Sequence, residues 1–286
     1  MRGRFEFLRP RSVEEAQELK ARTEGAKYLA GGTDLIVRMK ERKESPAALV
    51  SLRRIAELSG VRADGFVRVG SATPIADCIG DPALSSRFPV LVQAMASMGS
   101  VQIRNVATVG GNLCTASPCA DTAPPLLVLG ARLAVRRPGG QEDEIPLEEF
   151  FLGPRQTRLG PHDLVTGVVL DPPAPNARAI FFKKRRVAMD LALASVAVLL
   201  ELDGATCVKA RVAVGSVAPT PRRLESVERL LTGQEMKRDL LLAAANLARE
   251  SVAPICDLRA GEEYRRHITG VFVRRALETL LGQARP

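Results

Sequence analysis

The run Asp171-Pro172-Pro173-Ala174-Pro175-Asn176 most constrains how this chain can fold. Proline fixes φ and removes a backbone donor, so neither a helix nor a central strand continues through three prolines so closely spaced. The chain divides there, and a length of 286 residues fits two packed units. Before the divide, strand and helix signals alternate. Phe5 to Leu8 reads as a strand, followed by a helix opened by Ser12 with Glu15 at capping-box spacing. Lys27 to Thr33 reads as a strand with a glycine turn, Asp34 to Met39 as a helix start, and Ala48 to Leu52 and Phe66 to Ser71 as strands. Pro89 to Gly99 suits a helix, Val106 to Asn112 is a glycine-interrupted segment, and Arg132 to Arg136 with Glu144 to Leu147 suits a hairpin. After the divide, Val187 to Leu202 and Cys207 to Gly215 read as long strands joined at Asp203-Gly204. Helices are expected over Glu225 to Leu231, Lys237 to Glu250 and Tyr264 to Leu281. The expected class is α+β, the second unit being an antiparallel sheet with helices on one face.

Composition narrows the function. Hydrophobic residues at 46% and charged residues at 26% describe a globular chain. The longest apolar run, Leu191 to Leu200, is too short to cross a bilayer, and charges at the amino terminus are not followed by an apolar stretch, so no membrane span and a cytoplasmic location are expected. Five cysteines (78, 114, 119, 207 and 256) form no CxxC pair, and with two histidines in the chain no metal site is expected. The net charge of +9 comes from scattered Lys and Arg, and aromatics are 4% with no tryptophan. That leaves few stacking platforms, and no nucleic-acid partner is expected.

Two segments stand apart: Tyr28-Leu29-Ala30-Gly31-Gly32-Thr33-Asp34-Leu35, and Thr108-Val109-Gly110-Gly111-Asn112 followed by Asp121. A single glycine pair reads as a tight turn, as Gly139-Gly140 does. Two pairs, each closing an apolar run and followed by Thr or Asn, suit backbone amides that close on a pyrophosphate. Neither segment matches GxGxxG, and the chain has no GxxxxGK[ST], so the dinucleotide and P-loop fingerprints do not apply. No nucleophile and base adjoin them. Cys114 and Cys119 read as small buried packing residues. The pattern describes a site that holds a cofactor and leaves the chemistry to it, with no catalytic side chain expected.

The run from Gln102 to Leu113, continuing through Ala116-Ser117-Pro118, Asp121 and Leu126-Leu127 to Gly130-Ala131, resembles the flavin-binding signature of the xanthine dehydrogenase and carbon monoxide dehydrogenase family of molybdenum hydroxylases. The Ala30 to Leu35 loop, the Phe182-Lys183 to Asp190-Leu191-Ala192 segment, and Asp257-Leu258-Arg259 with Tyr264-Arg265-Arg266 agree with it in order and spacing. The resemblance implies a PCMH/VAO-type FAD-binding domain over 1–173, with subdomains of about 1–58 and 59–173. A CO dehydrogenase flavoprotein C-terminal-like domain over 177–286 follows. It further implies non-covalent FAD between the subdomains: residues 28–35 and 108–112 around the pyrophosphate and ribityl chain, Asp121 on a cofactor hydroxyl, Val165 near the ring, and Lys183 approaching from the second domain. Lys183 also reads as a solvated member of the basic run 183–186. The implied partners are a small subunit with 2Fe-2S clusters and a large subunit with the molybdenum cofactor, in a heterotrimer or a dimer of heterotrimers. With no Cys-rich insertion, no additional 4Fe-4S cluster is expected here.

Two other readings stand beside this one. A self-contained PCMH-type flavin reductase would need its own proton donor beside the ring, and the glycine segments contain none. A scaffold subunit without cofactor would have no use for Thr33, Asn112 and Asp121 beside intact glycine pairs.

Overall fold

The computed structural model describes residues 4–282, so residues 1–3 and 283–286 of the two expected domains lie outside the described residues. The amino-terminal subdomain is a three-stranded parallel sheet, β1 (Glu6–Leu8), β2 (Lys27–Leu29) and β3 (Ala48–Ser51), in the order β1-β3-β2. Helix α1 (Val13–Arg22) opens on Ser12, whose hydroxyl accepts from the Glu15 amide, while the Glu15 carboxylate accepts from the Arg11 amide. Helix α2 (Leu35–Lys40) follows the first glycine pair. Val13, Ala16, Val50, Ile55 and Leu58 form this subdomain's core.

The second subdomain is a five-stranded antiparallel sheet flanked by short helices. Its first strands are β4 (Val61–Asp64) and β5 (Phe66–Gly70). Six helices follow: α3 (Ile75–Gly80), α4 (Pro82–Arg87), α5 (Pro89–Ala96), α6 (Val101–Arg104), α7 (Val109–Cys114) and α8 (Ala123–Val128). The hairpin β6 (Arg132–Arg136) and β7 (Glu142–Pro146), helix α9 (Leu147–Phe150), the small pair β8 (Phe151–Gly153) and β9 (Gln156–Thr157), and β10 (Leu164–Leu170) complete it, in sheet order β4-β5-β10-β6-β7. The expected hairpin pairs Arg132 with Pro146 and Arg136 with Glu142. The expected glycine-interrupted segment contains a helix: Thr108 caps α7 by accepting from the Gly111 amide at 3.0 Å.

After the proline segment, β11 (Ala177–Lys184), β12 (Ala194–Asp203), β13 (Thr206–Gly215) and β14 (Arg222–Arg223) form an antiparallel sheet. Helices α10 (Glu225–Leu231), α11 (Arg238–Glu250) and α12 (Glu262–Leu280) follow. This differs from expectation in two places. Strand β11 does not stand out in the sequence, and the strand expected from Val187 begins at Ala194, leaving 185–193 as a loop. The first has a cause in the packing: the sheet is covered on its two faces, so the alternation that marks a half-buried strand is missing from β11, whereas Val187, Met189 and Leu191 are apolar yet exposed in the loop. Along β12, Ala194, Val196, Val198 and Leu200 pack under α11 and α12, whereas Ala197 and Leu199 join the core of the second subdomain. Along β11, Phe181 faces that subdomain and Ile180 and Phe182 face the helices. Strand period two then aims Lys183 and Arg185 at the second subdomain as well. Among the described residues no helix is long and apolar enough to cross a membrane.

The 185–193 loop is anchored by Arg265 on α12, whose side chain is 2% exposed. It donates to the carbonyl oxygens of Leu193 (2.6 Å) and Ser216 (3.3 Å) and to Asp257 Oδ1 (2.9 Å). Burial raises the Asp257 pKa, but the Arg259 amide, the Arg265 guanidinium and the Ala260 amide outweigh it and hold the carboxyl down at about 2. A carboxyl depressed in the folded state stabilises above its unfolded pKa of roughly 3.9, and that contribution is lost as pH falls from about 4 to about 2. Asp257→Asn is therefore expected to lower stability at neutral pH, by about 1 kcal/mol once solvent screening is allowed for, with the gap to wild type closing below pH 4 in thermal unfolding. A gap that stays constant from pH 7 to pH 2.5 would refute this role.

Candidate functional site

A cleft of about 580 Å³ runs between the two subdomains and is closed on one side by the 185–193 loop. Of the residues singled out in the sequence, Tyr28 through Leu35, Thr108, Gly110, Gly111, Asn112, Asp121 and Val165 all line it. Val109 instead packs into the core at 1% exposure, and Lys183 stands behind the wall, bonded to Asp121.

The two glycines of each pair have different tasks. A Cβ at Gly31 would overlap the carbonyl oxygen of Val106, and one at Gly110 would stand 2.6 Å from the Ser71 Cβ. These two positions let backbone lie on backbone: the first joins the two subdomains, and the second seats α7 against the end of β5. Gly32 has φ +74°, which turns the loop into α2. A Cβ at Gly111 would lie 3.6 Å from the Ala30 Cβ, so the two glycine segments adjoin in one wall.

The donors are unevenly shared between the segments. The amides of Gly31, Gly32, Thr33 and Asp34 donate to none of the described residues. In the second segment the Gly110 amide is taken by Ser71 O (3.0 Å), Gly111 by the Thr108 hydroxyl and Asn112 by Thr108 O (2.9 Å). The expectation that both segments close amides on a pyrophosphate is thus corrected for the second, which offers a glycine surface and the Asn112 side chain, its Oδ1 accepting from Thr122 at 2.6 Å.

Asp121 and Asp163 are the buried carboxylates that line the cleft, and Asp163 is taken up by the Arg137 guanidinium and the Gly160 amide. Asp121 Oδ2 accepts from Lys183 Nζ at 2.6 Å, and its Oδ1 has no partner among the described residues. Burial pushes its pKa up, against the pull of the Lys183 ammonium and the Arg185 guanidinium. Lys183 is only 4% exposed and also donates to Ser97 O, which Arg185 reaches at 2.9 Å. The reading of Lys183 as solvated is overturned, because the parity of β11 turns it inward. Tyr28 OH and Ser71 Oγ are two further buried polar atoms in the lining that lack partners among the described residues. Desolvation raises the Tyr28 pKa and keeps the phenol neutral.

Cys114 and Cys119 are not the buried packing residues expected; both line the cleft. Cys114 opens onto the cleft yet is enclosed deeply by protein, and this desolvation pushes its thiol up to about 12, which makes it a poor nucleophile at neutral pH. Other lining residues escaped the sequence reading: Met98, Gly99 and Ile103 on one wall, Arg38 and Arg155 near the end of α2, and Met189, Asp190 and Leu191 from the second domain. Two of these had a signal: Ile103 lies inside the quoted run from Gln102 to Leu113, and Asp190-Leu191 inside the quoted family segment.

Unshared amides, an orphaned buried carboxylate oxygen and a glycine wall fit an elongated cofactor that carries a diphosphate and hydroxyls, as FAD does. Comparison with known proteins agrees. Residues 3–173 match the model of the FAD binding domain in molybdopterin dehydrogenase, and residues 179–280 match that of the CO dehydrogenase flavoprotein C-terminal domain. The chain is 32% identical over 283 residues to a putative xanthine dehydrogenase FAD-binding subunit of Escherichia coli, covering 97% of this chain and 96% of that protein. It is 32% identical to the carbon monoxide dehydrogenase medium chain of Afipia carboxidovorans, covering 99% of each. A carbon monoxide dehydrogenase of Hydrogenophaga pseudoflava that lacks the Mo-pyranopterin moiety superimposes with a TM-score of 0.96 at 31% identity over the whole of both chains. Quinoline 2-oxidoreductase of Pseudomonas putida 86 superimposes with a TM-score of 0.91 at 26% identity, covering 98% of each chain. Fold, cleft and relatives agree: the chain belongs to the FAD-binding oxidoreductase subunits of the xanthine dehydrogenase and carbon monoxide dehydrogenase family of molybdenum hydroxylases.

Proposed function

We propose that this chain holds FAD non-covalently in the cleft and serves as an electron relay. It takes electrons from 2Fe-2S clusters on a small partner subunit, which a large molybdenum-cofactor subunit supplies, and passes them to an external acceptor. The observation that carries the reading is the convergence of both glycine segments on one cleft, together with a buried carboxylate that has an unshared oxygen. Names such as "medium chain" and "FAD-binding subunit" among the relatives support a multi-subunit assembly, a heterotrimer or a dimer of heterotrimers.

Bound there, the flavin accepts electrons singly or in pairs and releases them to a second acceptor. The protein's part is positional. The Gly31–Asp34 amides close on the diphosphate, with Tyr28, Leu29, Ala30 and Leu35 flanking it. Thr108, Gly110, Gly111 and Asn112 form the facing wall, with Val109 holding that wall to the core. Asp121 Oδ1 accepts from a cofactor hydroxyl while Lys183 fixes Oδ2, and Val165 packs near the ring.

Non-covalent binding is expected because neither His162 nor His267 lines the cleft and the Cys114 thiol stays protonated. Acid precipitation should release all the flavin as FAD; yellow colour retained in the pellet, or FMN in the supernatant, would contradict this.

Two glycine variants separate binding from folding. Gly111→Val adds bulk to the cleft wall and at most disturbs the Thr108 cap, worth about 1 kcal/mol. It should lose FAD while its unfolding temperature falls by only a few degrees. Gly31→Ala forces the subdomain junction apart and should lose stability first. Full FAD content in a stable Gly111→Val protein would refute the assignment of that wall.

The relay is tested anaerobically. Mixed with the substrate of the complex, the isolated chain should keep its flavin oxidised, and adding the small and large subunits should bleach it. Bleaching without partners would favour a self-contained flavin reductase instead.

A further inference from the structure

Arg155 sits in the turn between β8 and β9 and lines the cleft, at a backbone φ of +63°. A non-glycine residue in the left-handed region is under strain that the surrounding structure must hold. Here its amide donates to Ala116 O at 2.9 Å, and Ala116 itself has φ +47°. Of the arginines and lysines lining the cleft, Lys27 and Arg38 both pair with Glu44, whereas Arg155 makes no ion pair with any of the described residues. A strained backbone thus holds an unpaired guanidinium at a cofactor cleft.

Its place along the cleft follows from α7. The helix starts beside the first glycine loop, where Gly111 faces Ala30, and ends at Thr115-Ala116, where Arg155 is tethered. From Gly111 to Ala116 the helical rise is ~7 Å, so Arg155 is tethered about that far along the wall from the loop. It also neighbours Glu41 at the end of α2: the Glu41 carboxyl is drawn down by Lys43 first and, in lesser part, by Arg38 and Arg155.

We propose that Arg155 is the residue that makes this site prefer a dinucleotide to a mononucleotide, its guanidinium engaging the adenosine-phosphate half of FAD. A planar guanidinium stacks on an aromatic base and donates to phosphate oxygen, and the adenosine monophosphate half presents both. FMN has neither the base nor the second phosphate. The inference rests on the FAD reading above and deepens it by assigning the origin of the specificity.

The test is titration of the full-length apoprotein with FAD and with FMN, for wild type and Arg155→Gly. Glycine accepts the positive φ, so this variant should unfold at or above the wild-type temperature. It should bind FAD about tenfold more weakly or worse, the range expected for one cation–aromatic or charge-assisted contact, and bind FMN as wild type does. Arg155→Lys, which keeps the charge and loses the planar fork, should recover only part of the FAD affinity. Unchanged FAD affinity in Arg155→Gly, or equal weakening toward both flavins, would overturn the inference and leave FAD binding intact. A wild-type chain that binds neither flavin would overturn the FAD reading itself, and the inference with it.

Discussion

The cleft depends on one close approach of backbone to backbone, Gly31 against Val106 and Ala107. The amino-terminal subdomain is small, with three strands and a modest core, and this contact sets it against the second subdomain at a fixed distance. Any side chain at that position would separate the two walls. The next glycine takes a left-handed conformation, and four successive amides, Gly31 to Asp34, are left without a partner among the described residues. Two glycines that look equivalent in sequence are therefore a joint and a lining.

The second dependence is electrostatic. Asp121 is buried where a carboxylate is costly, and Lys183 is buried where an ammonium is costly, so each makes the other tolerable. The pair also crosses from one domain to the other, because Lys183 is carried on β11 and Asp121 precedes α8. Removing either partner would leave an uncompensated charge at the domain interface, with a cost of about 3 to 5 kcal/mol. The pairing leaves the two oxygens of Asp121 unequal, since Oδ2 is held by Lys183 and Oδ1 has no partner among the described residues.

Much of this arrangement was legible in the sequence, for local reasons. Glycine pairs, the Ser12 cap, the Asp203-Gly204 turn and the proline segment all act over a few residues, and each appears where it was read. What was not legible depends on neighbours distant in the chain. Lys183 reads as one of four consecutive basic residues until β11 is known to be a strand, and β11 is masked because Phe181 and Phe182 are both covered. The short helices between Ile75 and Val128 lack the length over which helical periodicity becomes visible. The amides of Gly110 and Gly111 read as free donors because nothing in their own segment shows that Ser71 O and the Thr108 hydroxyl reach them first. Cys114 and Cys119 fit a core composition, and only the path of α7 beside the cleft turns them toward it.

The sheet of the second domain is covered by its own helices on one side and by α5 and α8 of the first domain on the other. A chain with two sequence-defined domains therefore has a core that belongs to both. Cutting the backbone within the proline segment would not yield two independent proteins: each half would carry an apolar face made for the other. Produced together, the halves should reassociate as a split protein; produced singly, each exposes a surface suited to aggregation. The linker makes the two domains continuous, and the shared sheet makes them one cooperative body.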